Sequence, residues 1–246
     1  MGLEGFAELA RLMIPDWNVT AIEDVEFLAP FKFYRSEPRT LILTARLVED
    51  GSELAAECRL VGHRTLPGQS EPQATTHFTA RVALSRSPNA FTAEPSGSPE
   101  GSVVSAEDIY RIYFHGPAYK VLDAAWRRGA TVFGRYAENL PGNHEPPELE
   151  LVAAPRLVEL CFQTAGIHEI GSTGSMGLPN RIDAIDVVPA GTPVGRLCAV
   201  VTVESGGTYG AHVVDEAGTV FMRLTGYRTI ALGDVPEDLA GPLAAV

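Results

Sequence analysis

Glu159 and Gln163 stand one helical turn apart in the stretch PRLVELCFQTAGI, residues 155–167. Side chains four positions apart on a helix share a face, so the carboxyl and the amide point the same way. Leu157, Val158, Leu160, Cys161, Phe162 and Ala165 spread around most of the circumference, the pattern of a buried helix. A carboxyl on a buried helix is costly unless it is paired, protonated or used. Two readings follow: a structural glutamate satisfied by backbone groups, or a catalytic acid oriented by Gln163.

Pro155 and Gly166 mark the two ends of that helix. Near the start of the chain, Leu3, Phe6, Ala7, Ala10 and Met13 fall at helical spacing and predict an amphipathic helix ending near Ile14-Pro15. Strand-like runs follow at Val25–Phe33, Thr40–Val48, Glu53–Val61 and Thr75–Leu84, with a turn at Asp50-Gly51. Residues 86–106 are rich in Ser, Pro, Gly and Ala, which predicts a linker or an exposed crossing loop. Tyr110–Phe114 then leads into HGPAY, and a strand-like stretch from Val121 through Tyr136 turns at Arg128-Gly129. A Pro- and Glu-rich loop, 141–150, precedes the 155–167 helix, and a Gly/Ser loop, 171–177, follows it. Further strand-like runs lie at Ile182–Val188, Gly195–Val203, His212–Asp215 and Thr219–Leu232. Each half thus reads as a helix plus an antiparallel meander able to curl around it, an α+β plan that accounts for a helix apolar on nearly all sides. The expected division is 1–85, a linker at 86–106, and 107–246.

A net charge of -12 argues against nucleic-acid binding, which needs a basic face. No apolar run reaches the ~18 residues of a membrane span. Glu4 and Glu8 interrupt the N-terminal pattern, so it does not read as a signal peptide. Cys58, Cys161 and Cys198 are scattered and odd in number. Neither a metal site nor a disulfide framework is expected of them, and a reducing cytoplasm is the expected setting. Cys161 reads as a small core residue.

Three segments resemble the dehydratase domains of polyketide synthases. YFHGPAYKVLDAAWR, residues 113–127, is similar to that family's GYxYGPxF segment. Tyr113, Gly116 and Pro117 match it, His115 and Tyr119 replace its Tyr and Phe, and Ile112 stands at its Gly. Glu159 and Gln163 of ELCFQ resemble the family's DxxxQ, with Glu in place of Asp. Leu178-Pro179 resembles the start of LPFxW, without the Phe and Trp. The first half is similar to the N-terminal hot-dog from its central helix, GLEGFAELA, onward. The variant ELCFQTAG with HGPAY looks closest to dehydratases of iterative, enediyne-type synthases.

The resemblance implies a double hot-dog fold, two antiparallel sheets each wrapped on a central helix. It also implies a reaction, loss of water from a 3-hydroxyacyl chain on an acyl carrier protein to give a 2-enoyl thioester. That chemistry needs a base for the C2 proton and an acid for the C3 hydroxyl. By the resemblance Glu159 is the acid, its pKa raised by burial, and Gln163 orients it. Tyr113, Gly116, Pro117, Tyr119, Leu178 and Pro179 are the implied substrate-binding positions, and His115 is a candidate contact to substrate or to Glu159. The alternative for His115 is a polar group closing the turn before Pro117.

The family's base is a His in an HxxxGxxxxP segment just before the first helix, a segment absent from this sequence. A truncated piece of a larger synthase, a misplaced start and a base-less homologue are the competing explanations. Glu for Asp moves the acid by about 1 Å, which also bears on geometry. His63 in GHRTLPG imitates the base pattern, but its Pro67 comes too early and it reads as a loop residue. His77, His144, His168 and His212 carry no partner pattern. No cofactor is expected beyond the carrier's phosphopantetheine, and no metal. The expected partners are the carrier protein, other synthase domains and a second copy in a homodimer, with neither nucleic acid nor membrane. A non-catalytic acyl-binding or scaffolding hot-dog module, an enoyl isomerase and a thioesterase-like enzyme are the alternatives.

Overall fold

The computed structural model describes residues 2–32, 39–65, 68, 71–99, 101–147 and 149–246. Met1, Phe33 (the expected end of the first strand) and Pro67 lie outside them.

The first helix, α1 (Gly2–Met13), buries Phe6, Ala7 and Ala10 completely along one stripe. That stripe lies on four antiparallel strands, β1 (Asn18–Phe27), β2 (Leu41–Asp50), β3 (Glu53–Arg64) and β4 (Gln73–Ser85). The first strand begins seven residues earlier than its expected start at Val25 and ends at Phe27. Asp24 sits at φ 48 and the register against β4 shifts around it, so the apolar positions do not keep a period of two. His63 is within β3, opposite Ala74, rather than in a loop. Pairing with β4 carries the strand past the turn chemistry that suggested an end at Val61.

The segment 86–106 carries two short strands, β5 (Phe91–Thr92) and β6 (Val103–Ser105). Ser105 then caps the one-turn α2 (Ala106–Ile109), its hydroxyl accepting the Asp108 N–H. The second half continues with β7 (Leu122–Arg128), β8 (Thr131–Tyr136), the long α3 (Pro155–Thr173), β9 (Ser175–Val187), β10 (Cys198–Val203), β11 (Tyr209–Val214) and β12 (Thr219–Asp234). A short α4 (Glu237–Ala240) and a 3-10 turn, Gly241–Ala245, close the chain. Among the described residues the strands form one antiparallel sheet in the order β2-β3-β4-β1-β9-β12-β11-β10-β8-β7-β6, with β5 paired to β12. The β1–β9 ladder, Ala21 opposite Asp186 to Glu26 opposite Arg181, joins the halves. Strands β7 to β12 all contact α3.

Helix α3 runs six residues beyond the expected Ile167. Gly171, Ser172 and Thr173 are weak helix formers, but tertiary contacts decide here. The Ser172 and Thr173 hydroxyls donate back to the carbonyls of His168 and Glu169. A Cβ at Gly171 would lie 2.4 Å from the Leu243 carbonyl oxygen, so the C-terminal turn presses directly on the helix. Gly174, at φ 72, ends α3 and donates to the Ile170 carbonyl. Most of the expected 171–177 loop is therefore helix end and strand start, and Leu178-Pro179 lie within β9. On its other side α3 meets β8 at Gly134, where a Cβ would overlap the fully buried Thr164 hydroxyl. This close approach puts Leu160, Cys161, Ala165 and Ile167 in the core.

Candidate active site

The N-terminal turn of α3 is held from outside. Its cap residue Ala154 is left-handed, at φ 44, and supplies no side-chain acceptor. Instead the buried carboxylate of Glu4, on α1, accepts the N–H groups of Val152 at 2.6 Å and Ala153 at 2.8 Å. Arg156 donates to the Ala118 carbonyl at 3.0 Å and to the Pro141 carbonyl. The first turn of α3 is thereby tied both to the first half and to the 3-10 turn Pro117–Tyr119.

Gln163 is 2% exposed, and each polar atom of its amide has a partner. Its Nε2 donates to Glu159 Oε1 at 3.0 Å and to the Tyr119 carbonyl at 2.9 Å. Its Oε1 accepts from the Tyr110 hydroxyl at 2.8 Å. Two acceptors face one end of the amide and one donor faces the other, so its orientation is fixed by chemistry. The Tyr110 hydroxyl in turn accepts the Leu122 N–H at 2.8 Å, and Tyr113 donates to the Gln163 carbonyl at 2.9 Å. Tyr113 reaches that carbonyl across Gly166, where a Cβ would lie 2.4 Å from the phenol oxygen. Burial, and then the nearby Glu159 carboxylate, holds the phenols of Tyr113 and Tyr227 well above the ordinary tyrosine range. Burial raises Tyr110 as well. These phenols therefore act as neutral hydrogen-bonding groups.

His115 joins the same carboxyl. Its Nε2 is 2.9 Å from Glu159 Oε1, and both side chains are 22% exposed. The imidazole stacks on Phe114 at 5.4 Å and meets the edge of Tyr113 at 5.4 Å. Its Nδ1 is buried without a partner among the described residues. That favours the tautomer with hydrogen on Nε2, donating to the carboxylate. His115 and Gln163 both converge on Oε1, and no donor among the described residues is paired with Oε2. Glu159 thus presents one oxygen to the protein and leaves the other for a ligand.

Two cavities border Glu159. One, of about 270 Å³, is lined by Leu3, Phe27, Phe78, Tyr119 and Val158, among others. The second, of about 240 Å³, is lined by Tyr113, Phe114, His115, Gln163, Leu178 and Tyr227, among others. Pro179 borders both. A larger groove of about 640 Å³ lies elsewhere, among the charged side chains of Arg46, Glu57, Arg81 and Arg181. There Arg46 pairs with Glu57, and Arg181 with Asp24 and Glu26, so the smaller apolar cavities, with their converging polar groups, are the better site.

Glu159, Gln163, His115, Tyr113, Tyr119, Leu178 and Pro179 are brought together here. Gly116 and Pro117 border neither cavity and instead form the start of the 3-10 turn. His63 is exposed on β3, and His77 is buried on β4 with its Nδ1 3.0 Å from the Ala29 carbonyl. Tyr110, Arg156 and Glu4 were not legible as site residues. Tyr110, three residues before Tyr113, carried a weak signal, while Glu4 acts over 148 residues of sequence and carried none. No group of three or more His, Cys, Asp or Glu among the described residues could hold a metal ion.

Residues 73–238 match a family model described as the polyketide synthase dehydratase N-terminal domain. The chain is similar to the dehydratase domain from the CurF module of the curacin polyketide synthase. The TM-score is 0.73 at 17% identity, covering 94% of this chain and 84% of that one. It is similar to the dehydratase domain from the terminal module of the rifamycin polyketide synthase, with TM-score 0.68, 17% identity, and 94% and 82% covered. The bifunctional dehydratase-cyclase domain in ambruticin biosynthesis gives TM-score 0.62 at 19% identity, with 93% and 81% covered. These likenesses identify the fold as the double hot-dog of α+β class. No curated protein matches the chain.

Proposed function

We propose, from the premise that the chain belongs to the polyketide synthase dehydratase family, that Glu159 is the acid of a hydro-lyase acting on 3-hydroxyacyl thioesters. The single observation that carries this is the convergence of Gln163 and His115 on one oxygen of a cavity-lining carboxyl. Glu159 gives its proton to the C3 hydroxyl, which leaves as water, while the C2 proton passes to a general base, by the family resemblance a histidine that this sequence does not supply, and a 2-enoyl thioester forms. Gln163 fixes the carboxyl, and Tyr110 and the Tyr119 carbonyl fix Gln163. His115, in direct contact, fixes the same carboxyl oxygen by donating from Nε2. Tyr113, Tyr119, Leu178 and Pro179 line the space for the substrate, and Gly116 and Pro117 hold the turn that carries Tyr119.

The substrate arrives on the phosphopantetheine of an acyl carrier protein, and the dehydratase needs no cofactor of its own. It works beside other synthase domains, as a homodimer, in the cytoplasm, with neither nucleic acid nor membrane as a partner. Among the described residues no helix is long and apolar enough to cross a membrane. The division into 1–85, 86–106 and 107–246 belongs to the same proposal.

The test is incubation of the protein, extended at its N-terminus by a segment that carries the family's base histidine, with a 3-hydroxyacyl-pantetheine thioester and measurement of product mass. Loss of one water that disappears in Glu159→Gln is expected, and full activity in that variant would overturn the assignment. The His115–Glu159 contact also favours a second reading, an enoyl isomerase, which needs only proton shuttling. Isomerisation of a 2-enoyl thioester without change of mass, and no water loss from the hydroxy substrate, would select it. Binding without either reaction would select a non-catalytic acyl-binding module.

A further inference from the structure

The two cavities at Glu159 adjoin and share three lining residues, Glu159, Phe162 and Pro179. Pro179 is backbone-bound within β9, and Glu159 is held by Gln163 and His115. Phe162 is the one large apolar side chain common to both walls. It lies on α3 three residues beyond Glu159, so it flanks the carboxyl on neighbouring helix surface.

Its ring is braced from both halves of the molecule. On one side it stacks on Tyr227 of β12, with centroids 4.5 Å apart and planes at 16°. On the other it meets Phe27 of β1 edge-on at 6.3 Å, and Phe27 meets Phe78 of β4 edge-on at 5.3 Å. Aromatic contacts of this kind hold a ring in place beyond the effect of burial alone. The cavity on the Phe27–Phe78 side is apolar, with Leu3 and Val158 in its wall. The other has His115 and Tyr113 beside the 71%-exposed Phe114.

We propose that Phe162 determines acyl-chain length: its ring partitions the space at Glu159, and the partition limits how long a tail the site accepts. The inference rests on the dehydratase reading of the site. The apolar cavity takes the alkyl tail, and the cavity beside His115 and Phe114 takes the thioester end. The ring narrows the passage between the two spaces, and removing it opens that passage past the acid. Shortening it to leucine widens the passage while keeping most of the packed volume.

Calorimetric binding of saturated acyl-pantetheine thioesters with four, eight and twelve carbons, to the full chain and to Phe162→Ala and Phe162→Leu, tests this. Saturated chains cannot lose water, so binding is read apart from turnover. In Phe162→Ala the twelve-carbon thioester should gain about tenfold in affinity relative to the four-carbon one, the lower end of what one methylene is worth in an apolar pocket. Phe162→Leu should shift the ratio in the same direction by less, and it decides the matter if the alanine variant does not fold. An unchanged twelve-to-four ratio in the folded variants overturns the partition and leaves the dehydratase reading standing. Failure of the unaltered protein to bind any of the thioesters overturns both.

Discussion

Nε2 of His115 stands 2.9 Å from Oε1 of Glu159, in a contact that joins a turn before β7 to the second turn of α3. Two roles for the imidazole are separable. If His115 only donates a hydrogen bond, His115→Gln should keep much of the activity that His115→Ala loses. If it passes a proton to Glu159, both variants should fall alike, by about 10²–10⁴-fold in kcat. The expected outcome is the first, since Nδ1 is buried without a partner among the described residues, read from steady-state kinetics with the melting temperature as a check on folding.

Gly166 and Tyr113 should show strong coupling. Gly166→Ala would drive a methyl to 2.4 Å from the Tyr113 oxygen and break its bond to the Gln163 carbonyl. Overpacking of this kind costs about 1–3 kcal/mol. Tyr113→Phe removes the oxygen that collides, so the double variant should be more stable than additivity gives. Denaturant unfolding of the four proteins measures the coupling, and strict additivity would show that the contact does not matter.

Glu4 should be worth more than its place on the first helix suggests. Glu4→Ala strands two backbone N–H groups ahead of α3, at about 1–3 kcal/mol each. Its carboxyl also carries a pH signature. Burial pushes its pKa above the ordinary carboxyl value, although the Val152 and Ala153 N–H groups pull it down. A folded pKa above the unfolded one means that the folded state binds the proton more tightly. This contribution to stability is complete below the unfolded pKa and is lost as pH rises through the raised folded one. Urea unfolding across that window should show the stability advantage over Glu4→Gln shrinking as pH rises. A gap that widens would contradict the burial argument.

The three thiols should be inert in the folded protein. Cys58, Cys161 and Cys198 are all buried, and burial pushes Cys58 and Cys198 up to about 11 and Cys161 higher still. The thiolate is the reactive form, so a disulfide reagent near neutral pH should label them only as fast as the protein opens. Rapid labelling of any of them without denaturant would show that its part of the core is open.

Residue types at helical spacing were enough to read Glu159 and Gln163 as a pair on one face. Periodicity gave α1 to within a residue or two, and alternation with turn chemistry gave the β2–β3 and β7–β8 hairpins. These features are local: neighbours along the chain settle them. Other features were settled by distant neighbours. The last turn of α3 exists because Leu243 covers Gly171, and β1 starts early because β4 and β9 pair with it through an irregular register. Tyr110 and Glu4 act through hydrogen bonds that no spacing rule foretells, one to Gln163 and one to the backbone ahead of Pro155. The sequence by itself determined which carboxyl and amide share a helix face. Only the tertiary structure decided which oxygen of Glu159 is held, that His115 holds it, and that Phe162 stands between two cavities. Those relations depend on side chains brought within a few ångströms by sheet pairing, and pairing between distant strands is not written in any one stretch of chain.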